Sequence, residues 1–314
     1  LMATKADVWP PLVWGTWRET AITLQLWMQI IGKVRLALTP WLNHSWHVPL
    51  YVSARGLATS PIYHLDEAFE LEFDLIEHRL LFRDSVGGED ALALQPQSVA
   101  DFHDGLFAML SRHGIEVAIH EYPNEMADPI RFADDRTHCS YDAEAVRRFW
   151  RVLLTANRLL GQFRTAFVGK ASPVHFFWGS FDLAVTRFSG RPAPPHPGGV
   201  PHLPDEIARE AYSHEVSSAG FWPGSDAFPH AAFYSYAYPA PKGFAQAPIM
   251  PPGARFEPML GEFVFRYEDL RTSPDPAQAL MIFLTSTYEA AAELGRWDPA
   301  LDCAPGLPRR PRPV

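Results

Sequence analysis

"VHFFWGSFDLAVTRFSGR", residues 174–191, reads as a buried β-strand with two charges in its middle. Asp182 and Arg187 stand among Phe176, Phe177, Trp178, Phe181, Leu183, Val185 and Phe188. A charge taken out of water is costly unless it is paired or used. Side chains alternate faces along a strand, and an odd number of positions separates these two. They point to opposite sides and cannot partner each other. Each requires its own explanation, and a strand of this composition belongs near the centre of a sheet.

Working outward, a helix over 142–167 precedes this strand, with Asp142 or Ser140 placed to cap it. "AAFYSYAY" (231–238) and "EFVFRYEDL" (262–270) read as further strands, and "PAQALMIFLTSTYEAAAELG" (276–295) as a closing helix. The first part of the chain runs in the same order. A long helix spans 17–38, a strand 47–55 follows, and "FELEFDL" (69–75) alternates apolar and acidic residues as a half-buried strand does. "RLLFRD" turns at "VGGED" into "ALALQP", Ser98 caps a helix that stops at Gly114, and "IEVAIHEY" (115–122) is a further strand. Trp17-Arg18 and Trp150-Arg151 mark matching helix starts, and Arg55 and Arg187 follow them at nearly the same separation. The expectation is an α+β protein of two fused, similar helix–strand–strand–strand–helix halves, at 9–122 and 140–298. Antiparallel sheet would lie beneath long covering helices, all packed as one unit. Residues 189–224 exceed what a connection needs and form an insertion found in the second half alone.

Composition narrows the function. An apolar fraction of 47% supplies a full core, and a net charge of −9 argues against nucleic acid as a partner. The short basic tail "RRPRPV" is expected to be solvated. No apolar run is long enough to span a bilayer, and the first residues lack the layout of a signal peptide. Cys139 and Cys303 form no motif. A reduced, cytoplasmic protein without membrane partners is the expectation.

The densest polar cluster is "AYSHEVSSAGFWPG" (211–224), with Tyr212, His214, Glu215, Ser217 and Ser218 directly before Trp222. A histidine beside a glutamate suits proton transfer; the plain alternative is a polar loop that caps its own backbone. "NHSWH" places His44 and His47 at a spacing that holds a metal only on a helix, and here it precedes a strand. No nucleotide, P-loop or serine-hydrolase motif is present. Arg55 and Arg187 would grip an anion if the halves converged; otherwise each pairs with a strand acid, Glu70, Glu72 or Asp74 being the nearest. Ser189, Arg191 and His196 would form a proline-stiffened rim.

Three long blocks carry a family resemblance: "GKVRLAL…NH.WHVPLYV.ARGL" (32–57), "SPVHFFWGSFDLAVTRFSGR.APPHPGG" (172–199) and "EAYSHEVSSAGFWPG" (210–224). The chain resembles, over about residues 9–298, a bacterial family of unknown function. The resemblance implies a bacterial, cytosolic protein and supplies no activity, cofactor or catalytic residue.

From the residues alone, the expected function is an enzyme acting on a small polar or anionic substrate in a cavity between the halves. His214, Glu215, His175 and Asp182 would be catalytic; Arg55, Arg187, Arg191, Tyr212, Ser217, Ser218, Trp178 and Trp222 would bind the substrate. The cofactor and the oligomeric state are left open. One alternative is a non-catalytic protein binding an apolar or aromatic small molecule. The other is a metal-dependent hydrolase using His44 and His47.

Overall fold

An antiparallel bridge between Leu50 and Phe176 joins the edges of two sheets, and each sheet meanders away from that seam. A computed structural model describes residues 8–304, so the basic tail lies outside the described residues. Among the described residues each sheet has six strands, twice the number expected for each half. The first contains β1 (Tyr51–Val52), β2 (Gly56–Ala58), β3 (Ile62–His64), β4 (Glu67–Asp74), β5 (Arg79–Asp84) and β6 (Glu89–Ala93). Its order is β1-β2-β4-β5-β6, with β3 folded onto β4. The second contains β7 (His175–Phe177), β8 (Asp182–Pro192), β9 (His214–Trp222), β10 (Ala232–Tyr238), β11 (Arg255–Glu257) and β12 (Glu262–Arg266). Its order is β7-β8-β9-β10-β12-β11.

The α+β class holds, and each half runs from a long helix through its sheet to another helix. α1 (Trp14–Leu38) opens the first half and α2 (Val99–Arg112) closes it; α3 (Ala143–Arg164) opens the second. A short α4 (Asp205–Ala211) precedes β9, α5 (Tyr267–Thr272) follows β12, and α6 (Pro276–Leu294) comes last. The caps are those the sequence indicates. Ser98 Oγ accepts the Asp101 N–H at 3.0 Å, and an Asp142 oxygen accepts the Glu144 and Ala145 N–H groups at 3.0 and 3.1 Å. α1 is buried on nearly every side and packs on both α2 and α3, so it forms the axis of the core. Its Trp27 stacks on Phe102 of α2 and on Tyr141 before α3, at ring separations of 4.8 and 5.5 Å. Burying one such ring contributes about 4–6 kcal/mol before entropy is counted.

Three expectations are corrected. Residues 115–122 form no ladder: Val117 and Ile119 rest partly on the core, so their alternation records half-burial without a partner strand. The matched arginines are not equivalent, because Arg55 sits in the turn before β2 whereas Arg187 is in the middle of β8. Residues 214–222 are not loop but β9, paired to β8 on one side and β10 on the other. The covering segment shrinks to about 193–213.

Candidate functional site

The ladder registers define the outer face of the second sheet, away from α3 and α6. Asp182, Ala184 and Thr186 of β8 share it with Ser218 and Gly220 of β9 and Tyr234 and Tyr236 of β10. Glu262 takes the same face on β12, two residues before Val264, which pairs with Tyr234. Tyr234 lies directly opposite Gly220, and a Cβ there would collide with its hydroxyl. The missing side chain lets the tyrosine ring cross β9 and reach Asp182 on β8. Its hydroxyl donates to one oxygen of Asp182, and Ser180 Oγ donates to the other. Further along β8 and β9, the Thr186 and Ser218 hydroxyls meet at 2.9 Å.

A roof covers this face. The segment 193–213 contributes Tyr212, whose hydroxyl lies 2.8 Å from that of Tyr236, and His196, stacked on Tyr212 at 4.7 Å. Tyr238 OH donates to Pro194 O at 3.0 Å and ties the roof to β10. The second part of the roof is the loop around Glu125, whose N–H donates to Pro201 O at 2.9 Å. α1 pins this loop and the turn between β7 and β8 with a polar stripe at four-residue spacing. Gln25 Nε2 donates to Gly179 O at 2.6 Å, Gln29 exchanges hydrogen bonds with the Asn124 backbone at 2.8 and 2.9 Å, and Lys33 Nζ donates to Asn124 Oδ1. The Glu125 carboxylate is thereby laid against Gly179, where any Cβ would overlap it. Glu125 and Phe181 both hold left-handed backbone, at φ 60° and 62°, a cost of about 1–3 kcal/mol each that the surrounding contacts must sustain.

Three carboxyls meet here. Burial pushes Asp182 up, opposed by the Ser180 and Tyr234 hydroxyls. Burial and then the charge of Asp182 push Glu125 up to about 7 and Glu262 up to about 8. Neither glutamate carboxylate has a hydrogen-bond donor or an ion-pair partner among the described residues, yet both keep some contact with water. Burial also raises Tyr212, to about 12, and Tyr234 and Tyr236. The tyrosines remain neutral donors, while Glu125 and Glu262 are held near the neutral range.

Asp182 therefore lies on the roofed face, together with Tyr212 and Ser218. Asp182 and Arg187 are both buried, on opposite faces, each with its own partner, as the strand pattern indicates. Arg187 points into the core, donates to Phe163 O and lies over the rings of Phe163 and Tyr288 at 3.7 and 4.2 Å. Arg55 bonds Asp74 at 2.8 Å in the first sheet. The two arginines do not converge. His214 and Glu215 are successive residues of β9 and face opposite ways, so they form no acid/base unit. Glu215 accepts from Ser189 and from Arg191, which also reaches the end of α6 at Gly295 O. His214 contacts Ser213 and the ring of His44, with no link to His175, Asp182 or Arg187.

Ser217 faces the core, Trp178 donates to Val48 O at 3.0 Å, and Trp222 stacks on Phe228 at 6.0 Å. His175 is buried beside Ala184, and burial, then Arg35 and Arg164, pushes it down to about 3, so it is neutral. His47 bonds the Leu42 backbone, and among the described residues no three His, Cys, Asp or Glu side chains gather as a metal site. Sequence reasoning missed Glu125, Glu262, Tyr234 and Tyr236. The stripe Gln25, Gln29, Lys33 in an otherwise apolar helix was the available signal.

Residues 9–303 match the model of a family of unknown function, DUF5996. The chain belongs to that family. No curated protein and no solved structure matches it. Membership in DUF5996 assigns no residue a role, so the chemistry of the roofed face rests on its own geometry. No helix among the described residues is long and apolar enough to cross a membrane.

Proposed function

We propose that the roofed face of the second sheet is the active site of an enzyme that moves protons on a small polar substrate. The observation that carries this reading is the pair of recessed glutamates, Glu125 and Glu262, without protein donors beside the hydrogen-bonded Asp182. Acids held near neutrality are suited to give and take a proton at physiological pH. Asp182, oriented by Tyr234 and Ser180, is the fixed member; Glu125 and Glu262 supply the mobile protons. The substrate we infer is neutral or cationic rather than anionic, because acids and hydroxyls line this face and both arginines lie elsewhere. The tyrosine stack supports a second reading, ligand binding without turnover: Tyr234 and Tyr236 lie 6.1 Å apart and nearly parallel. We read the protein as bacterial and cytoplasmic, on the family resemblance and on two free, exposed cysteines.

The test is a turnover screen of polar metabolites by mass spectrometry, with the wild type beside Asp182→Asn, Glu125→Gln and Tyr234→Phe. The expected outcome is a converted compound whose turnover falls at least about 100-fold in Asp182→Asn and Glu125→Gln, with thermal midpoints nearly kept. Conversion unaffected by all three variants would overturn the assignment. Binding lost in the variants, with no conversion by the wild type, selects the second reading.

A further inference from the structure

The second cluster of titratable groups lies away from the carboxyls, where the loop carrying His44 meets the chain ahead of β7. Lys170 Nζ stands 2.6 Å from His44 Nε2. His44 Nδ1 lies 3.1 Å from Ala211 O, an acceptor only, so this nitrogen carries the ring proton and Nε2 is the bare acceptor. The His44 backbone N–H donates to Glu210 Oε1 at 2.7 Å, fixing the loop on the end of α4. An amine, a base in hydrogen-bond reach, and a third group that orients the base form the arrangement that activates a nucleophile.

The surroundings favour the same chemistry. The amine lies over the rings of Trp46 and Phe188 at 5.2 and 4.8 Å, so aromatic faces replace part of its hydration. His44 is buried, whereas Lys170 itself is exposed and open to an incoming reactant. Burial lowers the proton affinity of Lys170. Glu210 opposes this and His214 packs edge-on to His44 at 6.1 Å. The chain's other lysines are Lys5, Lys33 and Lys242, and among the described ones only Lys170 faces a histidine nitrogen.

We infer that Lys170 is a reactive amine that condenses with an aldehyde or ketone, with His44 as its base and Trp46 as the wall against which the reactant lies. His44 Nε2 takes a proton from the Lys170 ammonium, and the free amine adds to the carbonyl carbon to give a carbinolamine. His44 returns the proton to the departing hydroxyl, water leaves, and the C=N bond of a protonated imine forms. No electrons are exchanged, and the step reverses by hydrolysis.

The test treats the intact protein with glyceraldehyde and cyanoborohydride at pH 7, which traps imines as stable secondary amines, and follows each lysine by peptide mass spectrometry. Lys170 should be labelled at least about tenfold faster than the exposed Lys242, and His44→Gln should bring it down to the Lys242 rate. Because that substitution also touches the loop at 43–48, the pH profile of labelling in the unaltered protein is the second readout. The Lys170 rate should reach half its maximum at a lower pH than that of Lys242. Equal rates at the two lysines, or coincident pH profiles, would overturn the assignment.

Discussion

On β4 of the first sheet, Glu72 and Asp74 face outward, and each meets an arginine. Arg83 reaches Glu72 at 3.0 Å and Arg55 reaches Asp74 at 2.8 Å. Burial opposes the charge on Asp74, but Arg55 and the Ile76 and Glu77 amides outweigh it and hold the carboxyl below its ordinary range. On the outer face of the second sheet, Asp182 and Glu262 occupy comparable outward positions with the opposite result. At Asp182 tyrosine and serine hydroxyls replace the arginine, at Glu262 no donor stands among the described residues, and both carboxyls are pushed up. Alternation puts acids on the outer face of both sheets; the charge of the partner decides whether burial is overcome, as at Asp74, or prevails, as at Asp182 and Glu262.

The strongest way to break this contrast is through the crossing point of Tyr234. Gly220→Val sets a side chain against the Leu183 carbonyl and the Tyr234 hydroxyl. It is expected to destabilise the fold by about 3 kcal/mol or more in urea titration. Ala91→Val on the exposed edge of the first sheet should stay within about 0.5 kcal/mol. Equal effects would mean that the second face is not closely fitted around the tyrosine.

The next effect is one of pH. Glu125 and Glu262 have folded-state values above the ordinary 4.5, so the folded chain binds more protons than the unfolded chain between about 4.5 and the raised values near 7 and 8. Their contribution to stability is complete below pH 4.5 and is lost as pH rises through 7 and 8. Glu262→Gln, which keeps the neutral form, should therefore raise the thermal midpoint relative to wild type at pH 8.5 and leave it nearly unchanged at pH 5. A parallel shift at both pH values would show that Glu262 does not titrate in this range. The smallest effect belongs to the first sheet. Arg83→Ala should cost about 0–1 kcal/mol at low salt and less at high salt, because both partners stand near water. A cost comparable with that of Gly220→Val would erase the distinction between the two faces.

The reading from sequence succeeded where the information is local. Ser98 and Asp142 cap helices through bonds spanning two or three residues, and the alternation around Asp182 and Arg187 sets their faces. It failed where neighbours come from afar. β9 was hidden because Ser217, Ser218 and Gly220 look like loop residues; on the outer face it is Gly220, opposite Tyr234, whose missing side chain lets that ring cross the strand. The carboxyl cluster joins residues 125, 182 and 262, and no periodicity within any one segment connects them. The His214–Glu215 pair misled for a related reason, since adjacent residues that would serve together in a loop are separated by the sheet once they are strand.

The polar stripe of α1 has a bearing on how the chain is made. Gln25 and Gln29 find their partners at Gly179 and Asn124, while Trp14 and Arg18 both bond Asp226. Pro10, just ahead of the helix, is held by the Tyr267 hydroxyl at 2.8 Å. On the ribosome the residues that satisfy this segment emerge between 95 and 257 positions after it. A helix buried on nearly every side in the finished fold must wait in an unfinished chain, shielded by transient cover from α2 or by chaperones. Folding is then governed by the arrival of the late strands, and a message truncated before them would yield a fragment with its most adhesive surface uncovered.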